Sequence, residues 1–428
     1  MTDASNTPSP GPVIAPLRGV RVLELGNYIA APTAGRLLAD FGAEVIKVER
    51  PGGGDEIRRW RLLSGRTSLL HRTINRNKKS VVIDLRSELG RRTVLGLVAR
   101  VDAVVENFRP GTLEAWGLGP EVLQEANPGL ILTRVSAYGQ TGPLSKRPGF
   151  GSVAEAFGGL RDLVGYPDRP PVRVGVSLGD TMAGMYAAFG TVMALYQRAT
   201  LGLGRGEQTP VPANERTIDV ALHEAIFSAM EATIPEYSAY GTERVRMGPR
   251  IEGVAPTSAY LCRDGASVVI AGNGDSIFGR LMRVIGRPEL AEDPALADNE
   301  GRVVRADELD AAIAAWTGER TAAEALTALS EVGVPAGPIY RARDIVADEQ
   351  YASRDMVQYL PVSDGEQDLG KVAFPGITPV IGGRSLPIRN LGPELGADTV
   401  PVLQELLGLG PDQAAALAGQ LASGQEAA

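Results

Sequence analysis

Apolar and polar positions in the first half of the chain fall into a repeating alternation. A β-branched run at 20–25 (Val-Arg-Val-Leu-Glu-Leu) precedes a helix-length segment at 32–41 and a second strand-like run at 44–49 (Glu-Val-Ile-Lys-Val-Glu). The unit recurs with a strand pattern at 80–85, a helix at 88–100, a strand at 103–106, a helix at 112–126 and a strand at 130–135. Strands separated by helix-length segments predict parallel βαβ units, with helices covering both faces of one sheet. Ligands of such sheets bind beyond the carboxyl ends of the strands. Chemistry is therefore expected just after each strand: at 26–31, at 50–54, at Arg86, at 107–109, at 138–139 and at Asp180.

Asp180 closes a Val-rich run at 172–176 that reads as a strand, followed by a tight turn at Gly179-Asp180. The small, weakly polar residues after it predict a buried helix reaching about residue 198. The helix dipole and free N–H groups favour an anion at such a helix start. An aspartate there serves as an ordinary cap or as a carboxylate held for chemistry, and these residues alone leave both readings open.

A Gly-rich stretch at 199–206 predicts the exit from a large Rossmann-like domain at 17–205, and 206–225 reads as a linker. A helix at 218–232, a hairpin turning at Asp264-Gly265, and helices at 276–285, 306–317 and 322–332 predict a smaller α+β domain at 226–330. Residues 331–428 open with Val-Pro-Ala-Gly-Pro at 334–338, a return linker, and rejoin the large domain. Residues 1–16 are rich in Ser, Thr and Pro and lack the basic and apolar parts of a secretory signal, so a disordered leader and a cytoplasmic location are expected.

Composition narrows the classes. A chain of 428 residues exceeds what one core normally holds, which predicts two lobes. No apolar run approaches the roughly 20 residues of a membrane span. One cysteine, Cys262, and two histidines, His71 and His223, exclude an internal disulfide and a Cys- or His-rich metal site, so no metal is expected. His71 reads as part of a basic loop and His223 as part of the helix near 218–230, both structural. A net charge of −8 argues against nucleic acid as a partner. Residues 47–100 nevertheless carry fourteen Lys or Arg against five Asp or Glu. That excess suits either a solvated basic face or a cleft that draws in a polyphosphate ligand. The turn at 26–32 is not G-x-G-x-x-G and no P-loop occurs, so a dinucleotide or P-loop reading loses its support. Pro51 to Asp55, with three consecutive glycines, reads as a flexible loop or as a place for close backbone approach to a ligand.

Several segments together resemble the class III CoA-transferase family, which also contains the α-methylacyl-CoA racemases. They are Pro-Leu-Arg-Gly-Val-Arg-Val-Leu-Glu-Leu at 16–25, Gly-Ala-Glu-Val-Ile-Lys-Val-Glu at 42–49, Asn-Arg-Asn-Lys-Lys-Ser at 75–80, Glu-Asn-Phe-Arg-Pro-Gly at 106–111, Gly179-Asp180, and Val-Gly-Val-Pro-Ala-Gly-Pro at 332–338. The resemblance implies an interlocked homodimer in which each chain threads through an opening in the other. It implies CoA and acyl-CoA as substrates, with no tightly bound cofactor. Asp180 matches the aspartate that transiently carries the acyl group, and Ile29, Ala30, Arg50, Ile83, Arg86, Asn107, Phe108 and Arg109 match positions that contact CoA.

Three positions depart from the family pattern. Where the racemases carry a histidine as second acid/base, this chain has Phe150, which has no transferable proton. Where formyl-CoA-type transferases show Tyr-Glu, it has Phe150-Gly151, so the acceptor pocket must differ. Ala115 stands where Arg is frequent. The expected activity is CoA transfer from an acyl-CoA donor, with succinyl-CoA suggested by residues 175–215, to a small carboxylic or dicarboxylic acid. The route runs through an anhydride and a thioester on Asp180. Backbone N–H groups at the start of the Asp180 helix and in the glycine loop at 272–274 are the expected oxyanion donors. An acyl-CoA racemase or epimerase and a non-catalytic CoA-binding protein are the rival readings.

Overall fold

The computed structural model describes residues 15–65, 67–363 and 368–423, so nearly all of the expected leader lies outside the described residues. The chain divides into two compact units. The first comprises residues up to 159, 175–229 and 348 onward; the second comprises 160–174 and 230–347. Among the described residues no helix is long and apolar enough to cross a membrane.

The first unit is built on the expected parallel sheet. Its strands are β1 (Arg21–Glu24), β2 (Glu44–Glu49), β5 (Lys78–Val82), β6 (Ala103–Glu106), β7 (Ile131–Ser136) and β8 (Thr217–Ala221). A two-residue hairpin, β3 (Leu63–Ser64) with β4 (Thr67–Ser68), stands apart from it. The six parallel strands lie in the order β5-β2-β1-β6-β7-β8. The chain thus builds outward from β1 in one direction, then returns beside β1 to build in the other. The carboxyl ends of β1 and β6 flank the crevice where the strand order reverses, and in an open α/β sheet that crevice is the ligand site.

Alternate residues of each strand feed two cores. Leu23, Ile46, Val81, Val104 and Leu132 pack on one face with helix α3 (Glu88–Val98) and the helix Thr399–Leu407. On the other face, Val22, Val45, Ala103 and Val135 pack with α1 (Ala30–Asp40) and α7 (Leu178–Thr200). Gly184 of α7 meets Ala30 and Thr33 of α1, and its missing side chain lets the two helix backbones come close. The remaining helices of this part are α2 (Leu69–Ile74), α4 (Thr112–Ala115), α5 (Pro120–Ala126), α6 (Gly151–Phe157) and α8 (Leu222–Phe227).

Four local expectations are corrected. The Val-rich segment at 172–176 is not a strand; the place beside β7 is held by β8, and Val172 and Val176 are exposed. Residues 217–221, expected as linker and helix, form that sheet strand, because Ile218 and Val220 alternate with Asp219 and pair in parallel with β7. The expected helix 112–126 is two helices, broken where Gly117 adopts φ +70° and where Pro120 starts α5. His71 lies in α2 and is fully buried, not in a basic loop; Ser68 caps that helix by accepting from the His71 amide at 3.0 Å.

The second unit contains α9 (Thr233–Tyr240), α10 (Asp275–Val284) and an antiparallel sheet of β9 (Thr257–Leu261), β10 (Ser267–Ala271) and β11 (Ala336–Pro338), in the order β11-β10-β9. The β9–β10 turn falls at Asp264-Gly265, with Gly265 at φ +77°, as the dipeptide predicts. Tyr260, Ile270, Phe278, Leu281, Ile313 and Leu329 form its core. A hairpin of β12 (Val357–Ser363) and β13 (Asp368–Pro375) belongs to the first unit. Beyond it the chain docks on the edge strand β5, where Ser80 donates its amide to Asp398 at 2.8 Å and Val82 to Thr399 at 3.1 Å.

Candidate active site

The turn that leaves β1 is clamped by side chains from three other places in the sequence. Asn107, just after β6, spends both ends of its amide on Asn27. Its Oδ1 accepts the Asn27 N–H at 2.8 Å and its Nδ2 donates to the Asn27 carbonyl at 2.8 Å. Lys47 donates to the Gly26 carbonyl at 2.7 Å, and the Tyr28 amide donates to Asp55 at 3.0 Å. Between these anchors Tyr28 adopts φ +65°. The left-handed region costs a bulky L-residue roughly 1–2 kcal/mol, so the clamp holds a conformation that the turn would not adopt alone.

Beneath the turn lies a buried network of alternating charge. Lys47 sits 3.0 Å from Glu24 and 2.9 Å from Asp55, while Lys78 takes the other Glu24 oxygen at 2.7 Å. Arg58 donates twice to Glu49, at 2.7 Å each, and Ser80 and the Asp55 amide also donate to that carboxylate. Burial alone would raise the Glu49 carboxyl, but Arg58 and Lys47 outweigh it and pull it down to about 2. The same attraction raises Lys47 despite its complete burial. The segment at 51–55 is thus an anchored turn ending in the fully buried Asp55.

These pairs also take part of the positive charge of 47–100 into the interior. Lys47, Arg58, Arg72, Arg76 and Lys78 are buried. Each has a carboxylate partner, with Arg72 on Glu394 and Arg76 on Asp40 in addition to those above. These five cations are internal, while Arg50, Arg59, Arg61, Arg86, Arg92 and Arg100 are exposed. Within this segment Arg50 and Arg86 are the expected ligand cations, and both remain at the surface, with side chains 51% and 68% exposed. Each is held by one partly buried carboxylate, Glu56 for Arg50 and Asp84 for Arg86, and pairs whose cation stands half or more in solvent exchange partners at little cost.

A cavity of about 240 Å³ opens beyond the carboxyl ends of β1, β2, β5 and β6. Arg50, Ile83, Arg86 and Phe108 line it, so four of the eight expected CoA contacts come together, with Asn27, Asp84 and Trp116 beside them. Phe108 and Trp116 stack edge to face with centroids 5.0 Å apart. Asp84 and Trp116 were missed from the sequence; Asp84 follows Ile83 directly at the strand end, whereas Trp116 carries no local signal. The other four expected contacts do not line this cavity. Ile29 and Ala30 are buried at the start of α1, Asn107 clamps the turn, and Arg109 is exposed.

Asp180 is the third residue of α7 and partly buried. Three close approaches define its surroundings. Gly151, the first residue of α6, has no side chain where Asp180 needs room: a Cβ built there would lie 2.1 Å from Asp180 Oδ2. Gly179 donates its amide to the buried Glu155 of α6 at 3.2 Å. One turn beyond Asp180, a Cβ on Gly184 would stand 2.7 Å from the Ala30 carbonyl oxygen, so the start of α1 meets α7 there. The Tyr28 ring stacks edge to face on Phe150, the residue before Gly151, at 5.8 Å, and tilts against Trp60 at 5.6 Å. Tyr28 falls in the stretch 26–31 expected to carry chemistry, though without a role of its own, and Trp60 was not marked; a left-handed position cannot be recognised from composition.

The histidines stay apart from this chemistry. Burial, followed by the charge of Arg58, pushes the His71 imidazole far below its ordinary value. His223 places Nδ1 3.1 Å from the Ala137 carbonyl and packs on Tyr138 and Phe157. In the second unit, Gly272 donates its amide to the Pro256 carbonyl at 2.8 Å, which removes that N–H from the expected oxyanion donors.

The first unit thus combines an open parallel sheet, a crevice at its strand-order reversal and a carboxylate at a helix start. The model of CoA-transferase family III matches residues 17–399, and the chain belongs to this family. It is 45% identical over 404 residues to the "Succinyl-CoA--D-citramalate CoA-transferase" of Chloroflexus aurantiacus, covering 94% of this chain and 96% of that protein. The "Succinyl-CoA--L-malate CoA-transferase alpha subunit" of the same organism is 38% identical over 415 residues, covering 96% and 94%. The crystal structure of a CAIB/BAIF family protein from Brucella suis superposes with a TM-score of 0.77 at 34% identity, over 92% of this chain and all of that one. The sequence-based expectation of a family III CoA-transferase with an α/β fold therefore holds.

Proposed function

We propose that the protein transfers CoA from succinyl-CoA to a small dicarboxylic acid of the citramalate or malate kind, with Asp180 as the covalent carrier. The observation that carries this reading is the Asp180 carboxylate at the start of α7, lodged where Gly151 lacks a side chain. The acid class is suggested by the two relatives whose names contain citramalate and malate.

An Asp180 oxygen attacks the thioester carbonyl of the donor, the C–S bond breaks, and CoA thiolate leaves a mixed anhydride. The thiolate then attacks the aspartyl carbonyl, releasing succinate and forming an aspartyl-CoA thioester. The incoming acid's carboxylate attacks that thioester and expels the thiolate. Attack by the thiolate on the acceptor's acyl carbon frees Asp180 and forms the new acyl-CoA. Each step exchanges one activated acyl bond for another, so no external energy source is required. Arg50 and Arg86 would meet the CoA phosphates, with Ile83 and Phe108 supplying apolar contacts, and their surface ion pairs would open to do so. A homodimer is part of this reading. Met185, Phe189, Met193 and Tyr196 form an exposed stripe along α7 at helical spacing, which suits burial against a second copy.

The test is trapping. Protein incubated with succinyl-CoA and quenched with hydroxylamine or borohydride should carry its modification on the peptide containing Asp180. Labelling on Cys262 instead would mean ordinary thiol acylation, and absence of label in protein shown to bind CoA would leave a binding protein without chemistry.

A further inference from the structure

We propose that Tyr28 selects the acid that reacts at Asp180, its ring forming a wall of the acid pocket and its hydroxyl donating a hydrogen bond to the hydroxyl oxygen of a hydroxyacid. This assignment rests on the function proposed above. Tyr28 is tied to Asp180 from two sides. Its ring packs on Phe150, whose next residue, Gly151, abuts the Asp180 carboxylate. Two residues after Tyr28, the Ala30 carbonyl lies against Gly184, one turn beyond Asp180 on α7. The ring is also fixed: Trp60 packs on it, and its backbone is locked at φ +65° by the Asp55, Asn107 and Lys47 contacts to residues 26–28.

The ring also packs against the buried cluster of Ile29, Ile57 and Ile74, an apolar contact that leaves the hydroxyl unused. A glycine would adopt that φ without strain, so an aromatic kept in a left-handed position points to a use for the ring. Among the described residues the Tyr28 hydroxyl makes no hydrogen bond, which leaves it as a donor. A site that hydrogen-bonds a substrate group discriminates strongly against analogues lacking that group, whereas an apolar wall discriminates mainly by size.

Two substitutions separate these functions. Tyr28→Phe keeps ring and backbone and removes the hydroxyl; Tyr28→Gly keeps the backbone conformation and removes the wall. The full-length protein is assayed with succinyl-CoA as donor and with malate, citramalate, glutarate and adipate as acceptors, and CoA affinity is measured alongside by calorimetry. Tyr28→Phe should lower the ratio of kcat/KM for the hydroxyacids to that for glutarate about tenfold or more. Tyr28→Gly should raise the ratio for adipate to that for glutarate at least fivefold, the direction expected when a size limit is lifted. CoA affinity should stay within about threefold in both. Either ratio remaining within twofold of the wild-type value overturns the assignment, including the case in which all acceptors fall together. A wild-type protein that transfers CoA to none of the four acids refutes the proposed acceptor class, and this assignment falls with it. Transfer by the wild type with unchanged ratios in the variants refutes Tyr28 alone.

Discussion

Asp180, Phe150 and Glu49 each lend themselves to a single-residue test. Asp180→Asn keeps the side-chain volume and leaves the N-cap position, Ser177, untouched, and removes the proposed nucleophile. CoA transfer should fall by about three orders of magnitude or more, as loss of a covalent carrier does, while CoA affinity holds within a few-fold. Retention of more than a few per cent of the rate would exclude covalent catalysis through this residue. Phe150 provides no second acid or base, so incubation of 2-methylacyl-CoA with the protein in D₂O should give no α-deuterium above background; robust incorporation would favour the racemase reading. Glu49 affects stability. Its folded carboxyl titrates near 2, below the 4.5 of the unfolded chain, so its contribution is complete above about pH 4.5 and is lost as the pH falls toward 2. That shift corresponds to about 3 kcal/mol at neutral pH. Glu49→Gln should therefore lower the denaturation midpoint at pH 7 and flatten the acid limb of the stability curve, both readable by urea titration across pH.

The crossings of α6, α7 and α1 determine where the Asp180 carboxylate stands. A methyl group on Gly151 would collide with Asp180 Oδ2 at 2.1 Å, and the carboxylate, rather than the backbone, is the part that moves. Gly151→Ala is thus expected to cut kcat about a hundredfold, on the principle that misplacing a reacting group by about 1 Å costs that much, with CoA affinity little changed. A Gly184→Ala methyl would instead meet the Ala30 carbonyl and the Thr33 Cβ, each at 2.7 Å, and these belong to a rigid helix. The expected result is a loss of about 1–3 kcal/mol in global stability, the usual effect of overpacking, measured by chemical denaturation. Gly184 lies in the segment that read from the sequence as a small-residue buried helix; Gly151 read only as a departure from the family pattern. Their facing partners could not be read, because Gly151 and Asp180 are brought together by a crossing of two helices and share no local pattern.

The whole protein is expected to act as a pair of chains. Size-exclusion chromatography with light scattering should return about twice the 45.1 kDa chain mass, and Phe189→Glu with Met193→Glu, on the exposed stripe of α7, should yield monomer with lost transfer activity. The βαβ order, the hairpin at Asp264-Gly265 and the placement of Asp180 at a helix start were legible in the amino-acid order, since each depends on a period of two or 3.6 residues or on a turn dipeptide. Three things were not. Residues 172–176 have strand composition without a strand, and 217–221 are a strand that composition left as linker and helix, because the sheet has one place beside β7 and only folding assigns it. Five of the fourteen cations in 47–100 turn inward to carboxylates at Glu24, Asp40, Glu49 and Glu394. The clamp of Asn107 on Asn27 and the left-handed Tyr28 that it helps to hold join residues 80 positions apart. Periodicity records which side of its own element a residue faces; which distant group meets it there is settled only when the elements pack.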